Sequence, residues 1–336
     1  MPQIFIIAEA GVNHNGSVDL ALKLIDSAKA SGADAVKFQT FRADKLATRS
    51  AHKAAYQERT TASEESQFEM LERLELDTET HKRLIEHCCQ VGIQFLSSPF
   101  DAESADLLAK MDIPLFKIPS GEITNLPFLD HVARKGRPII LSTGMSTLGE
   151  IEEALTVLTA AGNRQITLLH CVTEYPAPYA EVNLRAMNTL KAAFGLPVGY
   201  SDHTPGIEIP IAAAALGAAV IEKHFTVDRS LAGPDHAASL EPNELEQMVT
   251  AIRHVEAALG DGIKAPARCE LANISVARKS VVAARSLIAG QRLTSDDLDI
   301  KRPGNGIAPR LKPMLIGRTL SSGVEKDEVL RWDHLA

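Results

Sequence analysis

The chain has 336 residues, 45% of them hydrophobic and 23% charged, which is enough for one large domain and a second small one. Its net charge of −8 argues against a general nucleic-acid or anionic-membrane binder, although a local group of lysines could still bind an anionic small molecule. The N-terminus resembles no signal peptide, no apolar stretch reaches bilayer length, and the four cysteines have neither zinc-like nor disulfide spacing. We therefore expect a cytoplasmic protein that binds neither nucleic acid nor membrane.

Short apolar runs predict eight strands in the first part of the chain. The runs are mostly continuous rather than alternating, which is typical of parallel strands buried on both faces. The predicted strands are residues 4–8, 35–38, 94–96, 115–118, 138–141, 166–170, 197–200 and 219–222.

Amphipathic runs between these strands predict helices. The first, residues 17–31, opens with Ser17 as a plausible N-cap, and the almost wholly apolar run 207–216 predicts a buried helix. The others are residues 80–91, 102–111, 126–133, 148–161, 184–193 and 244–259. Repeated strand-then-helix units predict an α/β fold, a (β/α)8 TIM barrel. The competitor is an open doubly wound sheet, whose dinucleotide-binding form would carry a GxGxxG turn after the first strand, which is absent here.

Three segments fall outside this pattern. Residues 42–77, which we call the excursion, form a long polar insertion after the second strand, typical of a functional lid or a disordered loop. We expect the barrel domain to span residues 1–260 and a polar linker to span 261–273. A small β-rich module should follow at 274–336, with strand-like runs at 280–284 and 329–332. Alone it buries little core.

Two lysines lie inside predicted apolar strands, where a charged side chain needs a partner. Lys37 belongs to the second strand and Lys117 to the fourth. Together with the serines and glycines that follow, they predict an anion site, because lysine supplies charge while hydroxyl and backbone N–H groups donate hydrogen bonds. The alternative is a purely structural pair with Glu9 or Glu122.

His203 and His224 come at the ends of strands seven and eight, so their imidazoles are expected to lie close together. Two neutral imidazoles with a carboxylate or water suit a divalent metal such as Mn²⁺, Zn²⁺, Fe²⁺ or Co²⁺. Asp202 and Glu222 are candidates to orient the rings. The pattern predicts a metal site at the carboxyl end of the barrel and leaves the metal open.

Several long motifs, in order, resemble those of the sialic-acid synthase family, which includes legionaminic and pseudaminic acid synthases. The resemblance runs the length of the chain, and the small module resembles the family's antifreeze-like (SAF) domain through residues 301–306. In the barrel it rests on residues 8–16 (AEAGVNHNG), 36–41 (VKFQTF), 116–122 (FKIPSGE), 141–145 (LSTGM), 201–204 (SDHT), 222–226 (EKHFT) and 233–236 (GPDH).

The resemblance implies condensation of phosphoenolpyruvate with the open-chain aldehyde of an N-acetylated mannosamine-type sugar, giving a nine-carbon α-keto acid and phosphate. It implies that His203 and His224 hold Mn²⁺ or Mg²⁺, and that Glu9 and Glu122 manage protons. The phosphoenolpyruvate contacts would be Lys37, Lys117, Ser120, Ser142 and Ser201. The sugar contacts would be Gln39, Tyr175, Asp235 and Arg302.

Arg302 would act from the partner subunit, because the resemblance implies a domain-swapped homodimer. Thr173 stands where some members carry Asn, and the excursion does not align with the sugar-contacting loop of those members. The acceptor therefore remains open between N-acetylmannosamine and a 2,4-diacetamido-2,4,6-trideoxy hexose. Two other hypotheses are a synthase that uses an aldose phosphate as acceptor and a non-catalytic binding protein.

Overall fold

The computed structural model describes residues 3–54, 57–58, 61 and 65–336. The chain divides into two compact units, Met1–Gly260 and Asp261–Ala336, which we call the barrel unit and the C-terminal unit. No helix in the described ranges is long and apolar enough to cross a membrane.

Eight parallel strands form one sheet in the barrel unit, in the order β3-β2-β1-β8-β7-β6-β5-β4. Because β1 pairs with both β2 and β8, the sheet curls round until β3 and β4 form its edges. The predicted (β/α)8 TIM barrel is confirmed. The strands are β1 Phe5–Gly11, β2 Ala35–Thr40, β3 Gln94–Pro99, β4 Phe116–Ile118, β5 Ile139–Ser142, β6 Ile166–Cys171, β7 Val198–Asp202 and β8 Val220–His224.

Several strands extend two or three residues beyond their predicted carboxyl ends. β1 runs to Gly11 rather than residue 8, and β8 runs to His224 rather than residue 222. The sequence prediction ended most strands at or near the last residue of an apolar run, but most of the residues that follow are buried as well. Their side chains make ion pairs and hydrogen bonds with one another at the mouth of the barrel, and these interactions stabilise the extended backbone there.

The helices cover the outside of the sheet, and the apolar stripe of each faces the core. Ser17 caps the first helix as predicted, with its Oγ accepting from the backbone N–H of Leu20 at 3.3 Å. The helices of the barrel unit are α1 Val18–Ala30, α2 Ala43–Leu46, α3 Gln67–Leu74, α4 Thr78–Val91, α5 Ala102–Lys110, α6 Leu126–Ala133, α7 Leu148–Ala160, α8 Ala186–Phe194, α9 Glu208–Ala215 and α10 Pro242–Leu259.

The prediction of a buried helix over residues 207–216 is wrong in its burial. Helix α9 buries Pro210, Ala213 and Ala214, while Glu208, Ala215 and Leu216 are exposed. The small alanine side chains allow the helix to pack closely on one side. Because the helix has no stripe of polar residues, its sequence does not indicate which side is exposed.

Helices α2 and α3 belong to the excursion, whose described residues are therefore partly helical. Val12, Phe41, Met70 and Leu74 form a buried cluster separate from the main core. Ser66 begins α3 with a capping box, accepting from the backbone N–H of Glu69. The excursion thus packs part of its own sequence against the loop after β1 and the end of β2.

The C-terminal unit has its own hydrophobic cluster and two antiparallel strands, β9 Ser280–Ala283 and β10 Leu298–Lys301. Its helices are α11 Leu271–Ala277 and α12 Lys312–Leu315. The second predicted run, 329–332, forms only an isolated bridge between Val282 and Val329, so its prediction as a strand is wrong. The linker boundary predicted after residue 273 falls inside α11.

Candidate active site

A cavity of about 360 Å³ opens among the carboxyl-terminal residues of the barrel strands. Its lining contains every site residue predicted in the barrel unit except Glu122: Glu9, Lys37, Gln39, Lys117, Ser120, Ser142, Tyr175, Ser201, His203, His224 and Asp235. The active face of a TIM barrel is the one formed by the carboxyl ends of its strands, so these side chains share the position at which chemistry occurs in this fold.

Both lysines are buried and each is paired with a glutamate. Lys37 Nζ lies 2.7 Å from Glu9 Oε2 and donates to Ser98 Oγ at 2.9 Å. Lys117 Nζ lies 3.1 Å from Glu222 Oε1, so its partner is Glu222 and not Glu122. The hypothesis of an anion site and that of a lysine–glutamate ion pair are therefore compatible, because the paired lysines still line the cavity.

The two glutamates of these pairs have opposite pKa shifts. Burial raises the pKa of Glu9 to about 7, against the lowering effect of Lys37. Burial would also raise the pKa of Glu222, but Lys117 and Lys37 outweigh it and lower that pKa to about 2. Glu9 is therefore suited to exchange a proton near neutral pH, whereas Glu222 remains a fixed anion.

Serine hydroxyls surround the Lys117–Glu222 pair. Ser201 Oγ donates to Glu222 Oε1 at 3.0 Å, and Ser120 Oγ accepts from the Gly144 N–H at 2.9 Å. A Cβ on Gly144 would lie 2.4 Å from Thr173 Oγ1, so only glycine fits there without a shift. Sequence reasoning assigned no site role to Thr173 and treated Glu222 only as a possible partner of histidine.

His203 and His224 face each other with ring centroids 5.4 Å apart. His203 Nδ1 donates to the carbonyl oxygen of Val172 at 2.5 Å, which leaves Nε2 as the nitrogen with a lone pair. Within the part of the chain that the structure describes, His224 Nδ1 is buried without a hydrogen-bond partner. Burial lowers the pKa of His203, and burial with the nearby His203 lowers the pKa of His224 well below its usual value. Two neutral, adjacent imidazoles fit a divalent metal.

The described residues contain no group of three or more His, Cys, Asp or Glu side chains arranged to hold a metal. The nearest carboxylate oxygen paired with these rings is Asp235 Oδ2, 3.8 Å from His224 Nδ1. A metal held by the two histidines would therefore keep positions for water or substrate, as catalytic sites do.

Two of the side chains predicted to contact the sugar, Gln39 and Asp235, lie beside Gly11, which has a positive φ of 52°. An ideal Cβ on this glycine would lie 3.4 Å from Gln39 Nε2 and 3.5 Å from Asp235 Oδ2. Burial raises the pKa of Asp235 to about 6. The Tyr175 ring lies 4.2 Å from the His203 ring, centroid to centroid, and so completes the same side of the cavity.

Two asparagines that follow β1 fasten the loop that carries Asp235. Asn13 Nδ2 donates to the Phe225 carbonyl at 2.9 Å and to Ser239 Oγ at 3.0 Å. Ser239 Oγ in turn donates to the Asp235 carbonyl at 2.7 Å. Asn15 Nδ2 donates to the carbonyl of Ala232 at 2.9 Å. Sequence reasoning noted the polar run after β1 but assigned it no role.

Two family models match the chain, the NeuB family over residues 24–264 and the SAF domain over residues 278–336. The chain belongs to the NeuB family. It is 54% identical to an N,N'-diacetyllegionaminic acid synthase of Campylobacter jejuni, over 98% of this chain and 100% of that relative. A Legionella pneumophila protein of the same name is 48% identical, over 98% of this chain and 94% of that relative.

The chain is also similar to a solved structure. The crystal structure of an N-acetylneuraminic acid (sialic acid) synthetase from Leptospira borgpetersenii, in complex with citrate, aligns with a TM-score of 0.72 at 37% identity. The alignment covers 81% of this chain and 90% of that one. The resemblance stated from the motifs is confirmed.

Among the site residues predicted in the barrel unit of this NeuB-family chain, Glu122 does not line the cavity, and Arg302 belongs to the C-terminal unit. Glu122 is half-buried in a 3₁₀ turn, where its Oε2 accepts from Asn125 Nδ2 at 2.7 Å, and burial raises its pKa. Arg302 is exposed in the C-terminal unit, and its Nε donates to the Ala277 carbonyl at 3.0 Å. Their predicted roles in proton management and sugar binding stay predictions.

Proposed function

We propose that this chain condenses phosphoenolpyruvate with 2,4-diacetamido-2,4,6-trideoxy-mannose to give N,N'-diacetyllegionaminate and phosphate. The observation that carries the reaction is one cavity in which two buried lysines lie among the same strand ends as two neutral histidines. NeuB-family membership supports the condensation of phosphoenolpyruvate with an acetylated amino sugar. The printed names of the two legionaminic acid synthases favour the diacetamido acceptor over N-acetylmannosamine.

In this proposal Lys37 and Lys117 bind the anionic groups of phosphoenolpyruvate. Ser120, Ser142 and Ser201 line the same cavity, and their hydroxyl groups are the proposed polar contacts of phosphoenolpyruvate beside the lysines. Burial strengthens these interactions, because the local dielectric is lower than that of water. The carboxylate of Glu222, 3.1 Å from Lys117 Nζ, orients the Lys117 side chain before the substrate arrives.

The reaction joins C3 of phosphoenolpyruvate to the aldehyde carbon of the sugar. The aldehyde oxygen gains a proton and becomes a hydroxyl group, water adds to C2, and phosphate leaves as the C2 ketone forms. Glu9 is our candidate for proton transfer because its pKa of about 7 lets it both give and accept a proton near neutral pH. Glu122 is the second candidate, and Gln39, Tyr175 and Asp235 would orient the sugar.

His203 and His224 would hold Mn²⁺ or Mg²⁺ in this proposal. A divalent metal there would supply Lewis-acid polarisation of the aldehyde oxygen. The unpartnered Nδ1 of His224 and the Nδ1 donation from His203 to Val172 support the assignment, since both leave ring nitrogens available.

We also propose a cytoplasmic enzyme, which is supported by the four free cysteines. We propose in addition a domain-swapped homodimer in which Arg302 acts across subunits.

Phosphate release from phosphoenolpyruvate tests this function directly. With Mn²⁺ present, we expect turnover with the diacetamido-trideoxy sugar, slower turnover with N-acetylmannosamine, and none with arabinose 5-phosphate. Chelation of the metal should abolish turnover, and added Mn²⁺ or Mg²⁺ should restore it. Saturable turnover with arabinose 5-phosphate would favour the aldose-phosphate alternative, and no turnover with any sugar would favour a binding protein.

A further inference from the structure

The cavity has two chemically different sides. The strand ends contribute its charged groups, whereas the excursion and its neighbours contribute an apolar surface that we call the apolar wall. Its members are Val12, Leu46, Met70, Leu71, Leu74 and Phe100. A polar substrate alone would have no use for such a surface, so the wall needs an explanation.

Part of the wall is the small core of the excursion. Met70 and Leu74 are each only 1% exposed, and they pack with Val12 and Phe41. Core packing accounts for these buried residues. Leu46 on α2 and Leu71 on α3 also pack against this core, but they are only partly buried and line the cavity. An apolar part of a ligand that binds against the exposed part of these two side chains would remove it from water.

The reaction chemistry decides which part of the ligand reaches this side. Phosphoenolpyruvate carries its charges to the lysine side of the cavity, and C1 of the acceptor must meet its C3 there. C6 is the opposite end of the six-carbon acceptor chain and is therefore directed away from the lysines. The apolar wall is the surface of the same cavity that could receive it.

We propose that the apolar wall binds the C6 methyl group of a 6-deoxy acceptor, and that Leu46 and Leu71 determine this specificity. This inference rests on the proposed function and adds to it the residues that select the acceptor. A C6 hydroxyl placed against the wall would lose hydrogen bonds to water and gain none from leucine side chains. The wall therefore disfavours N-acetylmannosamine, which carries that hydroxyl.

Amide side chains lie on the same side of the cavity. Gln57 and Gln67 both belong to the excursion and line the cavity with the wall. Gln57 Oε1 accepts from the Ala54 N–H at 3.0 Å. A carboxamide also carries two N–H donors, the kind of group from which an acetamido oxygen accepts a hydrogen bond. A second acetamido group at C4, near the C6 end of the chain, would lie within the same region.

The test compares two acceptors that differ only at C6, the 2,4-diacetamido-2,4,6-trideoxy sugar and its 6-hydroxy counterpart. We expect the wild-type chain to prefer the 6-deoxy sugar in kcat/KM by about 10- to 100-fold, since an apolar pocket rejects an added hydroxyl only to that extent. In Leu71→Asn, which presents an amide to C6, the preference should fall to within about threefold. Leu46→Asn, on the other helix, should shift the preference in the same direction.

Leu22→Asn is the matched control. Leu22 is also a partly buried helical leucine, but it packs on the barrel core and does not line the cavity. We expect it to keep the wild-type preference even if it lowers the melting temperature. Leu71→Met keeps the wall apolar and should also keep the preference.

Two outcomes would overturn the inference in distinguishable ways. If the wild-type chain turns over both sugars with equal kcat/KM, or if Leu71→Asn and Leu46→Asn lower both values equally, the wall does not select at C6 and the proposed reaction still stands. If phosphate is released with none of the sugars, the proposed function fails, and this inference fails with it.

Discussion

The two buried lysines of the cavity are each paired with a glutamate, but the two pairs are built differently. Glu9 and Lys37 are register partners on the adjacent strands β1 and β2. Lys117 is on β4 and Glu222 on β8, which are separated in the sheet by β5, β6 and β7, so this pair crosses the barrel mouth. The first pair could be expected from neighbouring strands. The second exists only because the sheet curls.

Lys117→Met tests the cross-barrel pair. It would leave the Glu222 carboxylate buried without its main partner, which should cost about 3–5 kcal/mol of unfolding free energy. Adding Glu222→Gln removes the uncompensated charge and should recover most of that loss. Both variants should lose phosphoenolpyruvate binding, because both lack the cation. Urea unfolding and calorimetric titration measure the two effects separately.

Either of two results would contradict this account. Undiminished phosphoenolpyruvate affinity in Lys117→Met would mean that the lysine is structural only. A double variant as unstable as the single one would mean that charge compensation is not what Glu222 provides. Comparing the single with the double variant separates the role of Lys117 in substrate binding from its role in compensating the charge of Glu222.

At the scale of elements, the apolar runs located the eight strands but not their ends. Sequence periodicity marks a strand by its apolar residues, so it ends a prediction where polar residues begin. In a barrel those polar residues, such as Ser201 and Asp202 on β7, remain in the sheet and are buried at the mouth. The position of the site could still be predicted from the sequence, because Lys37 and Lys117 lie within predicted strands and His203 and His224 lie at the ends of two others.

The loop contacts around Asp235 could not be predicted in this way. Asn13 and Ser239 are 226 residues apart, and neither residue type indicates which carbonyl or hydroxyl it will meet. The same holds for the apolar wall, because four of its six residues, Leu46, Met70, Leu71 and Leu74, lie on helices within a segment whose sequence is that of a polar insertion. Both features depend on which loops meet over the barrel, and that is fixed by the closed sheet rather than by local pattern.

Asn13→Ala tests whether these loop contacts position Asp235. The change removes two buried hydrogen bonds and should cost about 1–3 kcal/mol of unfolding free energy. It should lower kcat/KM for the acceptor by about 10- to 100-fold, since small displacements of orienting groups cost that much. Phosphoenolpyruvate affinity should stay within about twofold, because the lysine side is not attached to this loop.

Asn163→Ala is the control for that variant. Asn163 is also buried, and its Nδ2 donates to the Arg137 carbonyl at 2.7 Å, away from the cavity lining. A comparable loss of stability with normal acceptor kinetics is expected. If Asn163→Ala impaired the acceptor kinetics as much as Asn13→Ala, the effect would be one of general stability and not of positioning.

For the whole molecule, the sequence predicted a large barrel followed by a small module. The C-terminal unit has its own buried cluster of ten residues, which include Val281, Leu293 and Leu330. The predicted run 280–284 corresponds to β9 Ser280–Ala283, but β10 was not predicted, because its sequence alternates apolar with polar residues and resembles a surface segment. The sequence pattern does not indicate whether Arg302 of this unit acts at the site of its own subunit or at that of a partner subunit.

Complementation between two inactive chains tests the proposed domain-swapped dimer. Arg302→Ala removes the predicted sugar contact, and Lys117→Met removes a predicted phosphoenolpyruvate contact. If Arg302 acts across subunits, a mixed dimer contains one complete site, formed by the Arg302→Ala barrel and the arginine of its partner. Random co-assembly should then restore about a quarter of wild-type activity, since half of the dimers are mixed and each has one complete site of two.

Each chain alone should remain nearly inactive, and light scattering should give a mass close to twice the 36.2 kDa of one chain. If Arg302 instead acted within its own subunit, every site of a mixed dimer would lack one group, and co-assembly would restore no activity. A monomeric mass would also contradict the exchange. Restored activity would therefore show both that Arg302 is needed and that it is supplied by the other chain, because the Arg302→Ala barrel can be completed only by an arginine of its partner.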